Sequence, residues 1–446
     1  MARAVLRELR LTAFKSFAGA TLPLAPLTVL TGRNSSGKSN ALDGIEVLAR
    51  LAGGEDLADA LDGRRREGGP VRGGSRGCAP HGTTSFQLGC TVAVDGEEIV
   101  FDVEVQVEPE LRVLFESLAG PAPSEASPAI ERRILLEGHA SPDGSAAVDA
   151  AVYNGKRGRN PRYSFRDSRL LITQLPARLV PQNTADRAVI AAAAAVTGAL
   201  RGTFHLDPVP HLMRDYVPGR DTELRRTGAN LSASLGRLRQ DDLGTFNRLV
   251  ALVREVADAQ VRELIVTESG LGDVMLAIRE GKDRQDVTPA REMSDGLLRF
   301  IAIATALLTS NRGLDIDQGL LAPGGPPAGV LLVIEELENG LHPSQAVRVM
   351  RLIQETIREL DNQVIFTTHS PALLNALPGS ANDDVIVCYR DVDDGYSHLD
   401  RLTDLPGYAE AMAAGRLGDL MSSGRLVRPE ERRTDFAEFN RLLGIE

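Results

Sequence analysis

LTVLTGRNSSGKSNALDGIEVLARL, residues 27–51, sets a short apolar run, a Gly/Ser loop with one lysine and a helically spaced stretch end to end. The loop fits G-x-x-x-x-G-K-[ST] at Gly32, Gly37, Lys38 and Ser39. A buried strand before the loop and a helix after it form the context that separates a phosphate cradle from a solvated Gly/Ser loop. The glycines let successive N–H groups turn inward around an anion, and the following helix adds its positive end. Lys38 can then supply a point charge to the β- and γ-phosphates, and the Ser39 hydroxyl can ligate Mg²⁺. Lysine is scarce here, with four against 46 arginines.

Composition bounds the partners. The 446 residues are 43% hydrophobic and 25% charged, enough for a large core in two or three domain-sized units. A net charge of −11 repels polyanions, so any nucleic-acid contact must come from local basic clusters. Cys78, Cys90 and Cys388 show neither disulfide nor zinc spacing, and a reducing cytoplasm fits them best. The opening MARAVLRELRLTAF alternates instead of forming a signal-peptide core, and AVIAAAAAVTGAL and LLRFIAIATALL are shorter than the roughly 20 residues of a membrane span. No membrane partner is expected.

Along the chain, LRELRLTAF reads as a strand, residues 52–82 as a Gly- and Arg-rich loop, and TSFQLGCTVAV with EEIVFDVEVQV as a hairpin around Asp95-Gly96. ERRILLEG is a further strand, and antiparallel strands are expected to reach RLLITQL near residue 175. Residues 181–262 read as a helical lobe, on the period of DRAVIAAAAAVTGALRG and DLGTFNRLVALVREVADA. RELIVTE and DVMLAIRE form a strand pair, SDGLLRFIAIATALL a helix, GLLAPGGPPAG a loop, VLLVI a strand, SQAVRVMRLIQETIREL a helix and QVIFTT a strand. The fold class is therefore α/β, with a mixed sheet, an antiparallel β subdomain and an inserted helical lobe.

Three further segments carry chemistry. VLLVIEELENGLHP delivers Glu335 and Glu336 to the end of an apolar strand, the edge where open α/β sheets bind ligands. Glu335 suits the Mg²⁺ side, through water, and Glu336 suits polarising an attacking water, provided the chain turns as it leaves the strand. An acidic turn after a core strand is the plainer alternative. Ser294, Asp295 and Gly296 open an apolar helix, which makes either an anion-binding end or an ordinary Ser cap. His369 follows QVIFTT at the same sheet edge, placed to bond a γ-phosphate.

The order GRNSSGKSN, SDGLLRF, VIEELENGLHP, TTHSP resembles the ABC-type ATPase heads of the SMC and RecF group, and especially the stand-alone bacterial ATPases related to the OLD family. The resemblance implies a P-loop NTPase using ATP and Mg²⁺. Gly32, Asn34, Gly37, Lys38, Ser39 and Asn40 would form its Walker A site, and Ser294, Asp295 and Gly296 its signature. Glu335 and Glu336 would be the Walker B acids, His369 the switch histidine, and Gln174 in LLITQLP the Q-loop residue that senses Mg²⁺. It also implies an ATP-dependent homodimer, each nucleotide held by the loop of one copy and the signature of the other. In these terms residues 1–180 and 263–400 are the two parts of the head, 181–262 the lobe, and 401–446 a helical extension.

The chain departs from the pattern where Glu335 replaces the commoner Asp and Leu337 the Pro, so slow turnover is expected. Asp295 stands where transporter signatures carry Gly, which argues against a transporter subunit. A Toprim nuclease needs about a hundred residues and separated acids, whereas 75 residues follow TTHSP, and DVDDG (Asp391, Asp393, Asp394) reads as a hairpin turn. A nuclease is therefore expected as a separately encoded effector. RRREGGPVRGGSR (64–76) and KRGRNPRYSFRDSR (156–169) could contact DNA phosphates, or be solvated arginine loops. The leading expectation is an ATP-hydrolysing clamp in DNA repair or anti-phage defence. The alternatives are a nucleotide-dependent scaffold with negligible turnover and, less favoured, an ABC transporter ATPase.

Overall fold

The computed structural model describes residues 3–63, 69–124, 127–141, 145–257, 261–281, 287–316, 329–360 and 362–422. The first part runs β1 (Val5–Phe14), β2 (Phe17–Pro23), β3 (Leu27–Thr31), α1 (Lys38–Ala52) and α2 (Leu57–Asp62). Next come β4 (Ser85–Val94), β5 (Glu97–Gln106), β6 (Arg112–Ser124), β7 (Ser127–Ala140), β8 (Ala147–Val152) and β9 (Arg162–Arg166). α3 (Leu171–Arg178), α4 (Thr184–Arg201), β10 (Thr203–Leu206), β11 (Val217–Pro218), α5 (Leu231–Asp241) and α6 (Leu243–Val256) follow. Then come β12 (Val261–Glu268), β13 (Asp273–Glu280), β14 (Val287–Pro289), α7 (Asp295–Thr309), β15 (Leu331–Ile334) and α8 (Pro343–Leu360). The last elements are β16 (Gln363–Thr368), α9 (Pro371–Ala376), β17 (Val385–Arg390), β18 (Ser397–Arg401), α10 (Tyr408–Ala414) and α11 (Leu417–Ser422).

Fourteen strands form one sheet in the order β10-β15-β16-β3-β17-β18-β2-β1-β4-β5-β6-β7-β8-β9. β10, β15, β16, β3 and β17 are mutually parallel, and β3, β15 and β16, buried along their whole length, are mostly apolar because both faces are covered. The alternation of period two then assigns each residue to one of two cores. Leu331, Val333, Ile365 and Leu30 join α1, α3, α4 and the antiparallel wing β4–β8 on one side. Leu332, Ile334, Phe366 and Val29 join α5, α6, α7 and α8 on the other. The wing begins with the expected hairpin, in which Val94 pairs with Glu97 and both Asp95 and Gly96 take positive φ.

Three expectations need correction. RLLITQL is helical as α3, because the buried Glu116 carboxylate accepts the N–H groups of Leu171 and Ile172, each at 2.7 Å, and caps the helix start. The helical lobe at 181–262 is divided: α4 packs in the core of the wing, whereas α5 and α6 pack in the other. Between them the overlooked β10 closes one edge of the sheet against β15. The loop at 52–82 contains α2, whose Leu57, Ala60 and Leu61 are buried at helical spacing. The loop GLLAPGGPPAG lies largely, and residues 423–446 and 64–68 lie wholly, outside the described residues.

Candidate active site

β3 ends on buried Thr31, and the chain turns at once through Gly32 (φ 144°), Ser35 (φ 65°) and Gly37 (φ 116°). A Cβ on Gly32 would lie 2.0 Å from the Cys388 carbonyl oxygen, and one on Gly37 would lie 2.4 Å from Ser397 Oγ. β17 and β18 therefore press on the loop so closely that only glycine fits at either position. α1 starts with no side-chain cap and no acid in its first turn, which leaves its leading N–H groups to an outside anion. The loop is braced by Asn40 Nδ2 on Ser16 Oγ (2.9 Å), Ser397 Oγ on Ser16 Oγ (2.8 Å) and Cys388 Sγ on the Ser36 carbonyl (3.3 Å). Asn34 is exposed on the loop and Ser39 is half-buried in the first turn of α1.

Lys38, 7% exposed, donates to the carbonyls of Gly32 (3.0 Å) and Arg33 (2.8 Å). Burial lowers its pKa below the ordinary lysine value, while Cys388, Glu336, Glu338 and Glu335 act the other way. That set of charges locates the lysine: it stands among the carboxylates that leave β15, some 300 residues along the chain.

The parallel register explains the convergence. Ile334 pairs with Phe366, and Thr368 with Thr31, so Glu335, His369 and Gly32 all emerge at one sheet edge. Glu336 takes a left-handed conformation (φ 47°), uncommon and strained for a side chain of this size. The turn is held by Glu336 N–H on Thr367 Oγ1 (2.8 Å), Leu337 N–H on the Thr367 carbonyl (3.1 Å) and burial of Leu337. It breaks the strand alternation, so the two successive acids need not point apart. Glu338 accepts the His369 N–H with one oxygen, and its other oxygen is buried with no hydrogen-bond partner. Desolvation and Lys38 push the His369 imidazolium below its usual range, against Glu338 and Glu336.

The signature residues stand at the start of α7. Ser294 caps α7 by accepting the Leu297 N–H (3.3 Å), and both Ser294 and Asp295 are exposed. A Cβ on Gly296 would lie 2.1 Å from the Gly340 carbonyl oxygen, so the helix start abuts the loop that follows Glu335-Glu336. Among the described residues, no hydrogen bond or ion pair joins Ser294, Asp295 or Gly296 to the phosphate loop of the same chain. The Asp295 charge is met internally by Arg214 at 2.6 Å, which also donates to the Ala290 and Arg291 carbonyls.

Gln174 is not brought to this edge. Its amide lies on α3, accepts the Arg166 N–H (3.0 Å) and donates to the carbonyls of Arg166, Arg169 and Leu170. The residue that reaches Glu335 is Arg72, whose Nη2 lies 3.2 and 2.9 Å from the two carboxylate oxygens. Arg72 also faces Asp43 of α1 at 3.8 Å, and Asp43 binds Lys15 at 2.7 Å. Sequence reading missed both cations; the only available signal was a valine-arginine step inside a glycine-rich stretch. Deeper in, Glu46 pairs with Arg50 (2.6 Å) and Arg226, beside His205 of β10, whose Nε2 is buried without a partner.

The donor set fits a magnesium-bound triphosphate. Ser36 Oγ is buried in the loop without a partner, α1 starts with no side-chain cap, and the buried cation of the loop is a lysine bonded to its own loop carbonyls. Ser39 and Glu335 carry oxygens of the hard type magnesium takes and would hold it, Glu335 through water. Fold and site together define an ATPase head of the ABC type, with phosphate loop, acidic pair and histidine on one edge of a mixed sheet. The chain belongs to the family described as "AAA domain, putative AbiEii toxin, Type IV TA system", which matches residues 27–375.

Solved structures with a similar fold include the SMC head bound to the C-winged helix domain of ScpA, at 14% identity over 89% of this chain and 97% of that one (TM-score 0.44). The SMC head domain from Thermotoga maritima matches at 14% identity over 89% and 98% (TM-score 0.39). The Pyrococcus furiosus SMC head with an extended coiled coil, bound to the C-terminal domain of ScpA, matches at 14% over 92% and 100% (TM-score 0.43). No curated protein matches the chain in sequence. No helix of the described residues is long and apolar enough to cross a membrane.

Proposed function

We propose that the chain is an ATP-hydrolysing switch that closes into a homodimer on ATP and opens after hydrolysis. The observation that carries this reading is the placement of Lys38 among Glu335, Glu336 and Glu338, with His369 beside them. Lys38 already sits on two carbonyls of the loop, so it needs only to exchange those acceptors for phosphate oxygens. Ser39 and Glu335 would hold magnesium, which offsets the charge of the β- and γ-phosphates. Glu336, exposed on its strained turn, is the base that takes the proton of the attacking water. His369, its pKa lowered, is neutral near pH 7 and can donate one ring N–H to a phosphate oxygen.

The exposed start of α7 faces outward, so its free N–H groups and the Ser294 hydroxyl suit the nucleotide of a second copy. A triphosphate bridging two copies acts as glue until its terminal bond is broken. In this reading the switch works in the cytoplasm, in DNA repair or anti-phage defence, with a separately encoded effector such as a nuclease. The toxin–antitoxin wording of the family description is in keeping with defence. For DNA, Lys156, Arg157 and Arg159 are exposed on the turn between β8 and β9, next to exposed Arg162 and Arg166 on the edge strand. The interleaved Phe165 is core and does not stack on bases, and in the other basic stretch Arg72 and Arg76 are engaged by Glu335 and Glu108. A scaffold with negligible turnover is the second reading, favoured by the Arg72 contact on the metal-side acid. Steady-state ATPase rates of wild type and Glu336→Gln test the choice: turnover in wild type that the variant lacks supports the switch, and equal near-zero rates support the scaffold.

A further inference from the structure

We infer that Arg72 is a placeholder for the metal: in the nucleotide-free chain its guanidinium occupies Glu335, so that magnesium reaches this acid only together with the triphosphate. The inference rests on the reading of Glu335 as a magnesium-side ligand. Its observations are separate from that reading.

One nitrogen, Arg72 Nη2, bridges the carboxylate at 3.2 Å from Glu335 Oε1 and 2.9 Å from Oε2, and so covers both oxygens a cation would use. The backbone beneath it is fastened on three sides. Val71 is 2% exposed and its N–H donates to the Leu61 carbonyl (2.8 Å); the Arg72 carbonyl accepts Lys15 Nζ (2.8 Å). Beyond it, Gly73 and Gly74 turn at φ 86° and 63°, and Asp62 receives the Ser75 N–H at 2.7 Å. The side chain is 53% exposed, so release needs a rotamer change and no loop opening.

Electrostatics explain why a guard is needed. Glu335 faces Asp43 as well as Lys38, but Lys38 is held back on its loop carbonyls and Lys15 is committed to Asp43. Without Arg72 both Glu335 oxygens are left open to a divalent cation. A triphosphate brings its own metal at high local concentration and adds further oxygen ligands, which tips the exchange. Asp43, 3.8 Å from Arg72 Nε, keeps the displaced guanidinium close by.

The test is Mn²⁺ binding to the full chain without nucleotide, followed by the loss of the free-ion paramagnetic signal, for wild type, Arg72→Gln, Arg72→Lys and Arg72→Gln with Glu335→Gln. Fluorescent ATP-analogue binding is measured in parallel. The expected result is a nucleotide-independent site in Arg72→Gln about two- to fivefold tighter than in wild type, in line with removal of one half-exposed ion pair. Arg72→Lys falls between, and the double variant loses the site. The Mg²⁺ concentration needed for half-maximal analogue binding falls by a similar factor in Arg72→Gln. If wild type and all variants bind the analogue but Arg72→Gln takes up no more Mn²⁺ than wild type, the inference is overturned and the nucleotide reading stands. If wild type binds no analogue at any Mg²⁺ concentration, it is the nucleotide reading that fails. Matched melting curves guard against misfolding, and if Arg72→Gln is unstable the Arg72→Lys comparison decides.

Discussion

Replacing Gly296 by alanine separates nucleotide binding from closure. The added Cβ would meet the Gly340 carbonyl oxygen at 2.1 Å, where ordinary contact begins near 3.4 Å, so helix start and loop must part by about 1.3 Å. Gly340 cannot easily give way. It sits at φ 76° in a loop pinned before it by Glu336 N–H on Thr367 and by Glu338 on His369 N–H, and after it by Leu341 N–H on the Glu338 carbonyl (2.8 Å). The shift therefore falls on the first turn of α7, at an overpacking cost of about 1–3 kcal/mol. That is tolerable for the fold, yet a displacement of about 1 Å in a group that must meet a reacting phosphate costs roughly a hundredfold in rate. Equilibrium binding of a fluorescent ATP analogue should match wild type within about twofold, since Gly32, Lys38 and Ser39 are untouched; sedimentation velocity in Mg-ATP should show dimerisation lost, and turnover should fall about a hundredfold. Dimerisation and turnover within twofold of wild type, with an unchanged melting point, would refute the rigidity of the α7 contact on which the reasoning depends.

Two further outcomes concern stability. Glu116→Ala strands two buried N–H groups, of Leu171 and Ile172, and should lower unfolding free energy by about 2–5 kcal/mol in denaturant titration, with Glu116→Gln, which keeps one acceptor, losing about half as much. Burial pushes His205 down to about 4 from its ordinary 6.5, so its unfolded form binds the proton more readily, and stability intact above pH 6.5 is lost as pH falls to 4, by up to about 3 kcal/mol. Burial works against Glu46, but His205, Arg226 and Arg50 outweigh it and hold that carboxyl at about 2, so its contribution is present above pH 4.5 and lost as pH falls toward 2. His205→Asn should flatten the upper part of the acid-unfolding curve and weaken the lower part, since His205 is the first of the groups holding Glu46 down; an unchanged curve between pH 6.5 and 4 would contradict the placement of His205.

How much of this was readable in advance follows from the range of the interactions. The phosphate loop, the acidic pair and the histidine each lie in a contiguous motif with an apolar strand in front, and the parallel register does the rest. Both acids can serve the nucleotide only if the chain turns as it leaves β15, and Glu336 makes that turn at φ 47°. Arg72 was not legible, because its meaning lies in a partner 263 residues away. α3 looked like a strand because its start is fixed by Glu116, 55 residues earlier, against the pull of its own Ile172 and Thr173. The helical period of α4, α5 and α6 was plain, but periodicity does not say which face of a sheet a helix covers. Only the alternation of Leu331, Leu332, Val333 and Ile334 between the two cores settles that.

The most direct measurement of the central claim is the solution mass of Glu336→Gln in saturating Mg-ATP, by sedimentation or light scattering. The account predicts a shift from monomer to dimer that reverses when ATP is withdrawn and is absent in Lys38→Ala. A mass that stays monomeric while bound nucleotide is demonstrated would contradict it.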